Sequence, residues 1–372
     1  MAGLYLHIPF CKKACHYCNF HFSTSLSQKD PLLKALNREL VLRKGYLSQA
    51  QVDTIYFGGG TPSLLSQEEL EGLLETIYGH YDVSADAELT LEANPDDLSP
   101  TLLRQLSSIG INRLSIGIQS FHDKDLKWMN RSHDAAQAKQ ALLDAQELGF
   151  TELSVDLIFG CPTTTDADWE ENLRVATALS IPHLSCYGLT VEEKTALAHQ
   201  LGGATKVNEK SNAIQYDITM AWLQAEGYVH YEISNFAKEG SLSRHNSNYW
   251  KQIPYLGIGP SAHSYDGQSR QWNVAHNSQY IKALNQNEIP AEMEQLKEQD
   301  RYNEYLMTRM RTIWGVDPTA LSKAFPQYAD HFVQSIKGPI SEGHVEMQAD
   351  RYILKRAGKM LADQVIAELF IT

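Results

Sequence analysis

The sequence predicts an α/β protein: a partial (β/α)6 barrel followed by a small α-rich C-terminal domain. Three observations predict it. Short β-rich apolar runs recur through the first half of the chain, helix patterns with legible ends lie between them, and beyond about residue 190 the alternation loosens into helical periodicity. Strand–helix alternation implies parallel strands with helices outside. Six strand patterns fall short of the eight that close a barrel, so the barrel is read as partial and open. An open, doubly wound sheet is the structural alternative.

The strand patterns run from Tyr5 to Ile8, Thr54 to Phe57, Glu88 to Glu92, Arg113 to Gln119, Leu153 to Phe159 and His183 to Leu189. Ser66 and Glu69 read as a capping box ahead of Leu70, Leu73, Leu74 and Ile77, which repeat on one helical face. Ser99 and Pro100 read as N-cap and first helical residue, with Leu102, Leu103 and Leu106 inward and Gly110 just past the end. Asp134 opens a further helix that closes at Gly149. Later, a helix is expected from Glu209 to Glu226 and a strand from Tyr228 to Phe236. A Gly- and Asn-rich stretch then runs to about residue 280. Helices from Asp300 to Thr312 and Pro318 to Ala324, a short strand from Tyr352 to Lys355 and a helix from Ala362 to Phe370 complete the chain. The resulting division is a core over 1–238, a connecting segment over 239–295 and a C-terminal α-rich domain over 296–372. The chain's 372 residues exceed what one compact core usually holds, roughly 250–300.

The formal charge of −13 argues against a nucleic-acid partner, because phosphate binding needs a basic footprint. No apolar run approaches the roughly 18 residues of a membrane span. The opening MAGLYLHIPFCKK lacks the positive start and long apolar run of a signal peptide. The expectation is a cytoplasmic protein, with peripheral membrane contact left open.

Three of the five cysteines, Cys11, Cys15 and Cys18, make a CxxxCxxC motif directly after the first strand, in the loop where barrel enzymes build their sites. Thiolates are soft ligands suited to iron–sulfur clusters and zinc. Three are one short of a closed site. A [4Fe–4S] cluster on three thiolates leaves one iron open to a reactive ligand; a zinc site would need His16 or His21 as its fourth ligand. Cys161 and Cys186 stand alone in apolar stretches and read as small hydrophobes.

Other polar groups gather at the strand ends. Gly58, Gly59 and Gly60 precede Thr61 after the second strand, where they serve either a tight turn or the close approach of a ligand. Glu92 ends the third strand, Gln119 ends the fourth with Arg131 following, and Asp156 lies inside the apolar fifth. Each alone reads as a paired or solvated structural residue; their convergence on one face reads as a site.

CxxxCxxC with Tyr17 before its last cysteine resembles the signature of the radical S-adenosylmethionine (SAM) superfamily. The run from Tyr5 to Cys11, YLHIPFC, resembles a narrower branch holding oxygen-independent coproporphyrinogen III oxidase and the haem chaperone HemW, and the likeness extends to near residue 370. The resemblance implies a [4Fe–4S] cluster on Cys11, Cys15 and Cys18. It also implies SAM against Gly59, Gly60, Thr61, Glu92, Gln119, Arg131 and Asp156, with Tyr5, Tyr17 and Gly188 as further contacts. The oxidase has another cysteine two residues past the third ligand, where this chain has Phe20. That departure points away from decarboxylation and matches the chaperone group, as does His245-Asn246-Ser247-Asn248-Tyr249-Trp250, which resembles its HNxxYW motif. An imidazole beside two aromatics suits haem; a surface loop packed on the barrel is the plainer reading. His263 is a second candidate ligand. The implied function is a haem chaperone serving haem-accepting proteins, respiratory haemoproteins among them. A SAM-dependent tetrapyrrole decarboxylase is the alternative, and no residue is assigned a catalytic role.

Overall fold

The computed structural model describes residues 1–48, 50–201 and 209–372. The six expected strands are present as β1 (Ala2–Ile8), β2 (Val52–Gly59), β3 (Val83–Ala93), β4 (Arg113–Gln119), β5 (Glu152–Phe159) and β6 (His183–Gly188). Each pairs in parallel with the next. Helices α1 (Lys29–Leu42), α2 (Gln67–His80), α3 (Pro100–Ser108), α4 (Asp123–Trp128), α5 (Ala135–Glu147), α6 (Asp166–Ala178), α7 (Ala196–Gln200) and α8 (Glu209–Ala225) lie among and after them.

The helix ends form where local chemistry dictates. Ser66 and Glu69 close their capping box on α2, Asp134 and Gln137 close one on α5, and the Ser99 side chain accepts the Leu102 N–H at the start of α3.

The strands carry an unusual two-sided pattern, because side chains alternate faces with period two. One face is apolar: Leu4, Leu6 and Ile8 on β1, Ile55 and Phe57 on β2, Leu89 and Leu91 on β3, Leu114 and Ile116 on β4, Val155 and Leu157 on β5. These residues form the main buried core with the helices. The other face is polar: Tyr5 on β1, Tyr56 on β2, Thr90 and Glu92 on β3, Arg113 and Ser115 on β4, Ser154 and Asp156 on β5, His183 and Ser185 on β6. Residues of this second set, from all six strands, line a single cavity. The sheet therefore curls around a polar interior rather than a packed one, as a partial barrel does. Cys186 falls on the outer face within the apolar core and Cys161 is buried in a smaller apolar cluster, in keeping with their reading as hydrophobes.

Beyond residue 225 the structure departs from expectation in three places. The single strand expected from Tyr228 to Phe236 is a hairpin of β7 (Val229–Glu232) and β8 (Asn235–Ala237), with β8 antiparallel to β6. Glu232 accepts from the Ser234 N–H and from the Asn235 side chain, which fixes the turn. The segment 239–295 is not an irregular connection. It holds α9 (Arg244–Trp250), β9 (Tyr255–Ile258), β10 (His263–Tyr265), β11 (Ser269–Asn273), α10 (Asn277–Asn285) and β12 (Ala291–Gln295). β9 pairs in parallel with β1, and β10 to β12 continue antiparallel, giving among the described residues twelve strands in the order β12-β11-β10-β9-β1-β2-β3-β4-β5-β6-β8-β7. Strands of three to five residues are too short to display a period in sequence.

The C-terminal part contains α11 (Glu298–Met310), α12 (Pro318–Ala324), α13 (Ala329–Ser335), α14 (Lys337–Ser341), the hairpin β13 (Val345–Gln348) and β14 (Arg351–Leu354), α15 (Arg356–Met360) and α16 (Ala362–Ala367). Tyr302, Leu306, Phe332 and Leu369 belong to an apolar cluster of its own. Arg356 ties it back to α8 through Asp217. The final helix starts at Ala362 as expected but ends at Ala367, where the Leu369 and Phe370 N–H groups turn to Ile366 O and Ala367 O three residues back. Among the described residues no helix is long and apolar enough to cross a membrane.

Candidate cluster and cofactor site

The cavity inside the barrel has a volume of about 700 Å³ and opens at the strand C-termini, where Cys11, Cys15, Tyr17 and Cys18 line it. The segment between β1 and α1 that carries the thiols has no regular structure, and backbone bonds to distant parts hold it. Cys11 N–H donates to Ser23 O and His16 N–H to Met129 O. The Asn130 side chain holds Ala14 O at 2.8 Å. All three cysteines are free of disulfides and partly accessible.

Arg131 sits at the junction. Its Nη1 donates to Cys15 Sγ at 3.3 Å and to the Tyr17 hydroxyl at 3.4 Å, and its Nη2 donates to Asn94 Oδ1 at 2.6 Å and to Gly117 O at 2.7 Å. Asn94 Nδ2 donates to Thr61 Oγ1, which in turn donates to Cys11 Sγ at 3.4 Å. One continuous network thus joins two of the three thiols to the ends of β2, β3 and β4. Donors aimed at sulfur favour thiolate over thiol and suit an anionic iron–sulfur group. Without such a group, burial pushes the Cys11 thiol up and the Cys18 thiol to about 11. The zinc alternative has less to stand on: among the described residues no three His, Cys, Asp or Glu side chains gather around a single-ion site. The residues present therefore fit a three-thiolate cluster.

The glycines after β2 meet a steric need. Gly59 has φ +108°, and a Cβ there would lie 2.4 Å from the His7 ring; at Gly60 it would lie 2.7 Å from Phe10 O and 2.8 Å from Ile8 O. Glu92 is held below them, accepting the Gly59 N–H at 3.1 Å and the Tyr56 hydroxyl at 2.7 Å. Burial raises its pKa to about 7. Asp156, beside Ser115, is raised to about 6 by the same cause. Two carboxyls shielded from water stabilise a cation placed between them, and the cavity is of ordinary ligand size. Gln119 closes the constellation in a left-handed conformation with φ +67°, at a register irregularity between β4 and β5. A non-glycine residue there costs energy, and such outliers cluster at ligand sites. Tyr5 and Gly188 also line this cavity.

The HNxxYW residues separate. They form α9, not a loop, because Ser243 caps it by accepting the Asn246 N–H. His245 is 3% exposed. Its Nδ1 bonds Thr54 Oγ1 at 2.8 Å, its Nε2 bonds the Tyr249 hydroxyl at 2.8 Å, and its ring stacks on Tyr56 at 4.9 Å. Both nitrogens are bonded to protein side chains, and His245 lines the barrel cavity. Tyr249 and Trp250 line a second cavity of about 580 Å³, which shares Tyr5, Asn19, Phe20, Asn246 and Tyr249 with the first.

Sequence reasoning missed Tyr56, Arg113, Ser115 and His183 as lining residues of the barrel interior. The signal was available: polar residues at every second position of otherwise apolar strands.

Residues 5–176 match the radical SAM superfamily model. The chain is 34% identical to the heme chaperone HemW of Bacillus subtilis (strain 168), covering 98% of each chain. It is also 34% identical to the heme chaperone HemW of Mycobacterium tuberculosis (strain ATCC 25618 / H37Rv), covering 99% of this chain and 94% of the relative. Among solved structures it shares the fold of coproporphyrinogen III oxidase (HemN) from Escherichia coli, with a TM-score of 0.86 over 99% of this chain and 90% of that one at 23% identity. With this likeness running from end to end, the chain belongs to the HemW family of the radical SAM superfamily.

Proposed function

We propose that this chain is a haem carrier. It holds a [4Fe–4S] cluster on Cys11, Cys15 and Cys18, keeps SAM in the barrel cavity, binds haem beside them, and passes haem to acceptor haemoproteins. The observation that carries this reading is the near-full-length likeness to heme chaperones, which extends through the C-terminal part. Phe20 agrees with it. It stands 67% exposed at the rim shared by both cavities, where the oxidase has its further cysteine, and offers no group for proton or electron transfer.

When bound, the cluster supplies an open iron site and an electron donor. The chain's own residues do the rest. Arg131 and Thr61 direct donors at the thiolates, the Gly59–Gly60 turn brings backbone close to the ligand, and Glu92 with Asp156 offers negative charge to the sulfonium and ammonium of SAM. The test is to incubate anaerobically reconstituted protein with haem and, separately, with coproporphyrinogen III plus SAM. Tight haem binding without protoporphyrinogen formation is expected. Decarboxylation at enzymatic rates would replace this reading with the oxidase one.

A further inference from the structure

The second cavity lies between the sheet extension and α11, and its wall is built from one face of β9, β10 and β11. Tyr265 pairs directly with Tyr255 on one side and with Arg270 on the other, and His263, two residues before Tyr265, shares its face. The walls are aromatic: Trp250, Tyr249, Tyr255 and Tyr265 all line it. Tyr249 meets Tyr255 edge-on at 4.6 Å.

Two donors in this wall are buried without a partner, Trp250 Nε1 and Arg270 Nε. Arg270 Nη2 is paired with Glu304 at 3.0 Å, while its Nε stays without an acceptor. A buried donor without an acceptor is costly and asks for a ligand that supplies one. His263 differs from the other histidines of the cavity. Both His7 nitrogens are engaged, by Tyr5 OH and His21 O, and His21 bonds Asn277 through Nε2. His263 has a ring contact with Trp272 at 6.3 Å and, among the described residues, no hydrogen bond on either nitrogen.

The two cavities differ in lining. The barrel interior is polar and holds the buried carboxyls Glu92 and Asp156 among Arg113 and Arg131, whereas the second cavity has flat aromatic walls, an available imidazole and the two unpaired donors of Trp250 and Arg270. We infer that haem occupies the second cavity, with His263 as the iron ligand, Trp250, Tyr255 and Tyr265 against the macrocycle, and Arg270 receiving a propionate. The inference rests on the haem-carrier reading and deepens it. The bond formed is a coordinate one from a neutral imidazole lone pair to iron, without electron transfer. Shared walls place the cavity against the barrel site, with Phe20 between them.

The experiment is a titration of full-length, cluster-loaded protein with ferric haem, read by Soret position and low-temperature EPR, for wild type, His263→Ala, His21→Ala and Arg270→Gln. His263→Ala is expected to shift the Soret band, change the EPR signature and weaken affinity at least about tenfold, with added imidazole restoring the signature. Arg270→Gln is expected to weaken haem severalfold while leaving haem dimethyl ester, which lacks the carboxylates, unaffected. This second comparison decides the site if His263→Ala fails to fold. Haem bound by wild type with an unchanged spectrum in His263→Ala, or a spectral change in His21→Ala alone, overturns the site but not the carrier function. Absence of haem binding by wild type overturns the carrier function itself.

Discussion

The cysteine segment and α9 both hold a motif that points to a prosthetic group, yet the structure treats them in opposite ways. Around the cysteines, side chains are left with capacity: the thiols are unpaired and partly accessible, and Arg131 and Thr61 send donors toward them. In α9 that capacity is spent, because His245 gives both nitrogens to Thr54 and Tyr249 and its backbone N–H to Glu88. For an imidazole, whose two nitrogens make one bond each, folding decides between a ligand and internal structure by leaving a nitrogen open or engaging both.

The sharpest way to break this comparison is to remove the thiols. Replacing Cys11, Cys15 and Cys18 together by Ala is expected to abolish iron, from about four per chain to none, by colorimetric iron assay. Iron retained in the triple variant would end the cluster assignment. His245→Ala is the counterpart. It empties a packed site and orphans two hydroxyls, so urea unfolding is expected to show a loss of about 3 kcal/mol. The haem spectrum of the folded fraction is expected to stay as in wild type; a shifted Soret band would return His245 to the role of ligand.

A smaller effect concerns pH. Burial holds Glu92 near 7 against an ordinary value of 4.5. The folded chain therefore keeps a proton that the unfolded chain releases. In the cofactor-free protein this lowers stability progressively as pH rises from about 4.5 to 7, and the penalty stays constant above that. A bound cation favours the ionised carboxyls, so SAM affinity is expected to rise about tenfold between pH 6 and pH 8, by equilibrium dialysis, and Glu92→Gln to flatten the rise. A pH-independent affinity would remove Glu92 from the SAM site. The smallest effect is at Gln119. Gln119→Gly relieves its left-handed backbone and is expected to stabilise the cofactor-free protein by about 1 kcal/mol, while weakening SAM. Equal or lower stability would show that the strain is not there.

The six barrel strands were legible because each spans enough residues to show its apolar runs, and the caps at Ser66, Ser99 and Asp134 because they act locally. The cluster motif was legible because its ligands lie within eight residues of one another. The sheet extension was not, since three- to five-residue strands carry no period. Nor was the fate of His245. Its partners Thr54 and Glu88 are more than 150 residues away, and nothing near it in sequence shows that both its nitrogens are taken. Asp156 reads from sequence as one of a few polar groups converging at strand ends, whereas it belongs to a polar face that recurs on every barrel strand.

The parallel pairing of β9 with β1 has a consequence for biosynthesis. The strand that leads into the cysteine segment gains its second neighbour only after some 250 further residues have been made. At about 5–20 residues per second that interval is on the order of tens of seconds. Until then one edge of β1 is an open row of hydrogen-bonding groups. The nascent chain spends that time with its three N-terminal cysteines emerged and the strand before them half-paired, so completion of β1 waits on a strand about two-thirds of the way along the sequence.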